Sequence, residues 1–333
     1  MPINACFFPL RQRGMALVVV LLILAVAVVI AAAMTERLGL QIRRADNLVS
    51  YSQAQQYALG AEQFAITVLK QDFKDSPNAV HLSQYWSSGE QIYPLENGLL
   101  IGRITDLQAC FNLNAAAGRS PQQPSETPPL EMTALQQLLE QAGIESYAAE
   151  TIAHSTRDWL DADDVISGSL GAEDGEYRGL QPPYVTANSL MASVSELRVM
   201  LDITPADYQL LAPFVCVVPE DNRLLLNVNT LTEDTAVLLA ALIPELTEQA
   251  ALDIIANRPE EGFATLEELF ATAELSAITV PDEAKSMLAL KSDSFQLTAT
   301  AAYLESGFVL TSVLKINDNN QVKVLARRFG GQG

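Results

Sequence analysis

Seven carboxylates fall within nineteen residues of this chain, with three glycines set among them. Asp158, Asp161, Asp163 and Asp164 lie in R-D-W-L-D-A-D-D. Glu173, Asp174 and Glu176 lie in G-A-E-D-G-E, and Gly168, Gly171 and Gly175 punctuate the run. A hard cation such as Ca²⁺ takes six to eight oxygen ligands, which carboxylates on a glycine-rich loop can supply. The spacing is not that of an EF-hand. Counted from Asp161, Val165 falls where a ligand belongs, and no glutamate closes the loop in register. The competing reading of the same residues is a solvated acidic loop that binds nothing specific.

Other chemistry finds little footing. His81 and His154 are the only histidines, 73 residues apart and without metal-ligand spacing. His154 sits in a helical stretch, where packing or capping is its ordinary role. Neither a G-x-S-x-G elbow, a P-loop nor a dinucleotide fingerprint occurs. Asp161 and Asp163 could form an acid pair, but no cleft or partner is visible in a sequence. Leu246–Leu269 resembles a helix-hairpin-helix repeat, yet Ile243-Pro244-Glu245 stands where the phosphate-approaching glycines belong. With acids dominating, the segment reads as a protein contact rather than a nucleic-acid one. Of three cysteines, Cys6 lies near the start, while Cys110 and Cys216 form an even pair. In an oxidising compartment they would make a disulfide; two buried free thiols are the alternative.

The elements that position these residues begin with an N-terminal signal. Arg11-Gln12-Arg13-Gly14 precedes twenty uncharged residues, Met15–Met34. That run is long enough to span a hydrocarbon core of roughly 30 Å. The arginines ahead of it place the N-terminus in the cytoplasm and the bulk of the chain outside. Three readings compete: a signal peptide cut after Ala33, an uncleaved anchor, and a pilin-type leader cut after Gly14 with the apolar helix retained. Beyond the span, Leu38, Ile42, Ala45, Val49, Tyr57, Ala61, Phe64 and Val68 recur at helical spacing, and no proline occurs before Pro77. One helix from Met15 to about Lys70 would be roughly 84 Å long.

Pro77–Pro94 reads as a loop with short extended pieces, and Gly98–Leu107 as a strand. Gly118–Pro129, with four prolines, reads as a flexible linker. From Leu130 to about Leu290 the pattern is almost entirely helical, including a helix over Pro281–Lys291. Alternation returns in Phe295–Tyr303, then Phe308–Ile316 and Gln321–Arg328 follow as strands around the Asn317–Asn320 turn. The simplest assembly packs the terminal strands and Gly98–Leu107 on the helical spine, with the helical block inserted between strands of one sheet.

The balance of 20 Lys+Arg against 40 Asp+Glu gives −20, or −22 once residues 1–14 are removed. Such a charge disfavours nucleic acid and anionic lipid surfaces as partners. It suits Ca²⁺, a basic protein face, or simple solubility outside the cytoplasm.

The R-Q-R-G-M junction resembles a class III prepilin site. Together with the helical insertion, the W-L-D-A-D-D segment and the strand-rich end, it resembles the K-subunit family of minor pseudopilins of the type II (general) secretion system. The resemblance covers nearly the whole chain. It implies an α+β, pilin-like fold: a long N-terminal helix packed on an antiparallel sheet, with a large inserted all-α domain. The parts would be leader 1–14, transmembrane helix 15–34, first pilin-like part 35–110, insert 111–290 (two SAM-like or helix-hairpin-helix-like subdomains, roughly 111–217 and 222–290), and completing strands 291–333. It implies cleavage after Gly14 and methylation of the Met15 amine by the prepilin peptidase. Pilins generally carry glutamate at the fifth mature residue, whereas this chain has Val19, an omission the K family shares. A carboxylate there costs a few kcal/mol in lipid unless a neighbour's amine pairs with it, so its absence marks a subunit with none above. Calcium binding in the family's α-domain assigns Asp161, Asp163, Asp164, Glu173, Asp174 and Glu176 to one or two structural Ca²⁺ ions.

The expected function is a non-enzymatic tip subunit. It would nucleate the periplasmic pseudopilus with minor pseudopilins I and J, meet other pseudopilins and inner-membrane assembly components, and hold a single pass in the inner membrane. The rivals are a membrane-anchored periplasmic Ca²⁺-dependent enzyme and a minor pilin of a type IV pilus or DNA-uptake machine.

Overall fold

The computed structural model describes residues 15–118, 128–317 and 319–330. The proposed leader with Gly14, most of the Gly118–Pro129 linker and Asp318 lie outside the described residues. Helix α1 (Met15–Asp75) runs 61 residues, about 90 Å at 1.5 Å per residue. Among the described residues it is the one helix long and apolar enough to cross a membrane. It ends two residues before Pro77, which cannot continue a helix.

The buried stripe of α1 differs from the expected one. Ser50, Ala54, Ala58, Ala61, Ala65, Leu69 and Phe73 are buried, while Leu38, Ile42, Ala45 and Val49 are exposed and Phe64 is 48 % exposed. The sheet covers the helix only from Ser50 onward, and four alanines let it approach closely. Sequence periodicity sums every apolar face, including those left uncovered within this chain.

Five strands form an antiparallel sheet: β1 (Gln91–Leu95), β2 (Gly98–Asp106), β7 (Ser294–Tyr303), β8 (Ser306–Ile316) and β9 (Val322–Phe329), in that order. The chain leaves the sheet after β2 and re-enters at β7, so the stretch between is an insertion. β1 occupies part of what reads as a loop in the sequence, because Pro94 argues against a strand. At the sheet's edge the missing N–H is tolerated. Phe295, Leu297, Ala299 and Ala301 of β7 are buried in the core shared with α1. Phe73 and Trp86 both meet the Phe295 ring edge-on, with centroids 5.9 and 5.2 Å away.

The inserted block carries α2 (Leu130–Gln141), α3 (Ser146–Leu160), α4 (Asp174–Arg178), α5 (Pro205–Leu211), α6 (Val237–Leu242), α7 (Glu248–Ala256), α8 (Leu266–Phe270), α9 (Ala273–Ser276) and α10 (Asp282–Ser286). It is not purely helical. β3 (Phe111–Asn112) pairs in parallel with β4 (Val215–Cys216), and β5 (Leu226–Asn227) with β6 (Leu288–Ala289). The helix expected over Pro281–Lys291 therefore stops at Ser286, and its remainder turns into β6. Val194–Val199, within the stretch expected to be helical, forms a 3₁₀ helix capped by Ser193.

Both short ladders open with the same device. In Phe111-Asn112-Leu113-Asn114, the Asn114 amide accepts from Met191 N at 2.8 Å and donates to Met191 O at 3.2 Å. In Leu226-Asn227-Val228-Asn229, the Asn229 amide accepts from Phe263 N at 2.7 Å and donates to Phe263 O at 3.0 Å. Each fully buried amide is thus satisfied by a backbone segment distant in sequence, as a dry interior requires. Gly262, with φ +76°, permits the second clamp, because a Cβ there would lie 2.4 Å from Asn229 Cγ.

The block joins the far end of α1, remote from the apolar run. Val80 N donates to Leu290 O at 2.9 Å, Asn227 Nδ2 to Val80 O at 3.1 Å, and Lys291 Nζ to Pro77 O at 3.0 Å. Asp106, at the end of β2, is a second fastener. Its carboxylate accepts from Thr230 Oγ1 at 2.6 Å, Ser292 Oγ at 2.5 Å and Gln108 N at 2.8 Å, tying the sheet's exit and return strands to the block. A disulfide joins Cys110 to Cys216 across 106 residues, with Cα atoms 5.8 Å apart.

Candidate metal centre

The seven carboxylates are not equivalent once folded. Helix α3 ends at Leu160, and Asp161 leaves it in an extended conformation. One turn earlier, fully buried Asp158 accepts from Ser167 N at 2.9 and 3.1 Å and closes the loop 161–167. Gly171 lies so close that a Cβ there would stand 1.9 Å from Asp158 Oδ2. Asp163 Oδ1 accepts from Val165 N at 2.9 Å, and His154 Nδ1 meets Ser167 Oγ at 3.0 Å. His154 therefore supports the loop from α3 rather than acting as a ligand.

This closure brings Asp161, Asp163 and Glu173 together, with one carboxylate oxygen from each lying within 4.8 Å of the others. Asp164 is not among the converging three, although its charge bears on Glu173. Asp174 and Glu176 serve local structure. Asp174 accepts from Thr186 N at 3.1 Å and Thr186 Oγ1 at 2.9 Å and pairs with Arg178 at 2.6 Å. Glu176 accepts from Glu173 N at 3.0 Å, capping the start of α4.

The electrostatics fit a missing positive charge. Glu173 is 4 % exposed, and neither of its oxygens nor Asp161 Oδ1 has a hydrogen-bond partner among the described residues. Burial, reinforced by the charges of Asp161 and Asp164, pushes the Glu173 carboxyl up to about 7. Burial also raises Asp161, with Asp163 adding to it and Arg157 opposing. Asp158 rises to about 7 through burial, only partly offset by the Ser167 N–H. Asp174 moves the other way, held low by the Thr186 hydroxyl. Three converging carboxylates, opposed among the described residues only by Arg157 at 3.8 Å from Asp161 Oδ2, suit an oxygen-seeking divalent cation. The residues that would hold it are Asp161, Asp163 and Glu173, and the ion would supply the charge that lets all three ionise together.

Of the remaining positions singled out in the sequence, Met15 and Val19 lie in the exposed first half of α1. Sequence reasoning missed Glu62, buried on α1. Its carboxylate receives Arg327 Nε and Nη2, each at 2.8 Å, and Ser312 Oγ at 2.6 Å. The available signal was a lone acid at a core-facing helical position, though its partner is 265 residues away.

The models of the family described as "Type II secretion system (T2SS), protein K" match residues 109–220 and 226–291. Among curated relatives named type II secretion system protein K, that of Aeromonas hydrophila is 39 % identical over 326 residues, covering 96 % of this chain and 98 % of the relative. That of Klebsiella pneumoniae is 38 % identical over 321 residues, covering 96 % and 97 %. That of Pseudomonas aeruginosa is 32 % identical over 328 residues, covering 97 % and 94 %. Among solved structures, a chain of the GspK-GspI-GspJ complex from enterotoxigenic Escherichia coli superposes with a TM-score of 0.77 at 31 % identity, covering 87 % of this chain and all of that one. Near-full-length identity, the spine-and-sheet fold and the helical insertion agree: the chain belongs to the type II secretion system protein K family and is a minor pseudopilin.

Proposed function

We propose that this minor pseudopilin forms the tip of the periplasmic pseudopilus and nucleates its assembly together with minor pseudopilins I and J. One observation carries the reading. The bulky insert is fastened through Val80, Asn227 and Lys291 to the end of α1 opposite the apolar run. A subunit with that mass above its helix leaves no room for another to stack on it. The solved relative was captured in complex with its own I and J partners, which supports the same partnership here. Val19, in place of a membrane carboxylate, fits a position with no subunit above it.

In this reading the leader is cut after Gly14 and the Met15 amine methylated by the prepilin peptidase. The apolar helix anchors the chain in the inner membrane and the soluble part lies in the periplasm, contributing structure rather than catalysis. Asp161, Asp163 and Glu173 hold structural Ca²⁺ that fixes the end of α3 against the start of α4.

Co-expression with I and J tests the assembly claim. The full chain should co-purify with both, and its deletion should cut filament initiation while leaving elongation of existing filaments intact. Initiation at an unchanged frequency without this chain would overturn it.

A further inference from the structure

We propose that Arg37, Arg43 and Arg44 form a binding site for the phosphates of anionic lipid headgroups, on the face of the membrane from which α1 emerges. The inference rests on α1 being a membrane anchor and adds a ligand for the stretch just beyond it. The uncharged run ends at Met34, and the helix continues without a break. At 1.5 Å per residue, Arg37 stands about 4.5 Å further along and Arg43 and Arg44 about 13–15 Å. The headgroup layer on each side of a bilayer is roughly 5–8 Å deep. Helical Cα–Cβ bonds tilt toward the N-terminus, here toward the membrane. The arginine stems of positions 43 and 44 therefore lean back over roughly 6 Å, which brings their guanidinium groups to about 7–9 Å beyond the uncharged run, at the outer edge of the headgroup layer. Arg37 and Arg44 are seven residues apart, two turns, and so share a face.

All three arginines are exposed, and none makes an ion pair among the described residues. The charge of the whole chain conceals this. Thr35–Val49 carries +1, with Glu36 and Asp46 its only acids, whereas the rest of the mature chain carries −23. Guanidinium groups recognise phosphate oxygens in a two-pronged geometry that lysine cannot match. Phosphate is also the anion within reach of a helix leaving lipid. Bound headgroups would set the height at which the subunit sits in the bilayer.

The test reconstitutes the full processed chain in phosphatidylcholine vesicles with spin-labelled phosphatidylglycerol or phosphatidylcholine. It reads the relative association of each with the protein. The wild type should favour phosphatidylglycerol by roughly tenfold at low salt, falling toward parity at high salt. R37Q/R43Q/R44Q should abolish the preference, while the lysine triple variant should keep part of it. K70Q/K74Q, higher on α1, should change nothing. A wild type without preference, as expected if these arginines instead await an acidic protein partner, would overturn the proposal. So would a preference that survives the glutamine variant. Should that variant fail to insert, the salt dependence of the wild type and the lysine variant decide alone.

Discussion

Glu62 on α1 accepts two hydrogen bonds from Arg327 on β9, both at 2.8 Å, and so locks the helical spine to the last strand of the sheet. Burial alone would raise the Glu62 carboxyl, but the Arg327 and Ser312 hydrogen bonds outweigh it and hold it below the usual carboxylate range. The two partners are unequal, because the Glu62 side chain is 1 % exposed and that of Arg327 43 %. R327A strands a buried carboxylate and should destabilise by on the order of 2–4 kcal/mol. E62Q leaves the arginine in water and should cost about 1–2 kcal/mol. Urea unfolding of the soluble part ranks the two, and the reverse order would contradict the assignment.

Chelation tests the candidate metal centre. Adding EGTA to purified protein should lower the melting temperature, Ca²⁺ should restore it, and E173Q should remove the response. A melting temperature indifferent to EGTA would rule out a structural ion.

The same site predicts a pH signature. The folded Glu173 carboxyl lies near 7, above the usual 4.5, so without metal its contribution is fully present at low pH and is lost as pH rises through about 7. With Ca²⁺ the trend reverses, because the ion competes with protons and binds better as pH rises. Melting curves at pH 5 and 8, with and without Ca²⁺, should therefore diverge at the higher pH.

Asp106 should behave in the same sense without metal. Burial pushes its carboxyl up to about 6 despite hydrogen bonds from Ser292, Thr230 and Gln108. Its favourable contribution holds below about pH 4 and disappears as pH rises through 6. The wild type should therefore lose stability relative to D106N between pH 4.5 and 7, by on the order of 2–3 kcal/mol. Parallel curves for the two proteins would contradict this.

Reduction of Cys110–Cys216 opens a loop of 106 residues. In the chain-entropy picture this costs roughly 4–5 kcal/mol. A C110S/C216S variant should melt well below the wild type, and an equal melting temperature would show that the cross-link contributes little.

Much of this fold was legible because its strongest signals are local. The uncharged run, the absence of proline to Ser76 and the alternation of Phe295–Tyr303 each specify an element by themselves. What stayed hidden depends on distant partners. Strand β1 contains Pro94 and forms only because β2 lies beside it. The ladders of β3 with β4 and β5 with β6 are two residues long and leave no periodic trace. Seven acids marked the neighbourhood of the candidate metal centre. Which three converge is decided by Asp158 gripping Ser167 N and by Asp174 and Glu176 being occupied with Thr186, Arg178 and the α4 cap. The Glu62–Arg327 lock spans almost the whole soluble chain, beyond any local pattern.

The most direct test is mass spectrometry of the mature N-terminus, taken from membranes that contain the processing peptidase. An N-methylated peptide beginning at Met15, with the apolar helix retained, is the expected product. A chain beginning at Met34, or one still carrying residues upstream of Met15, would contradict it.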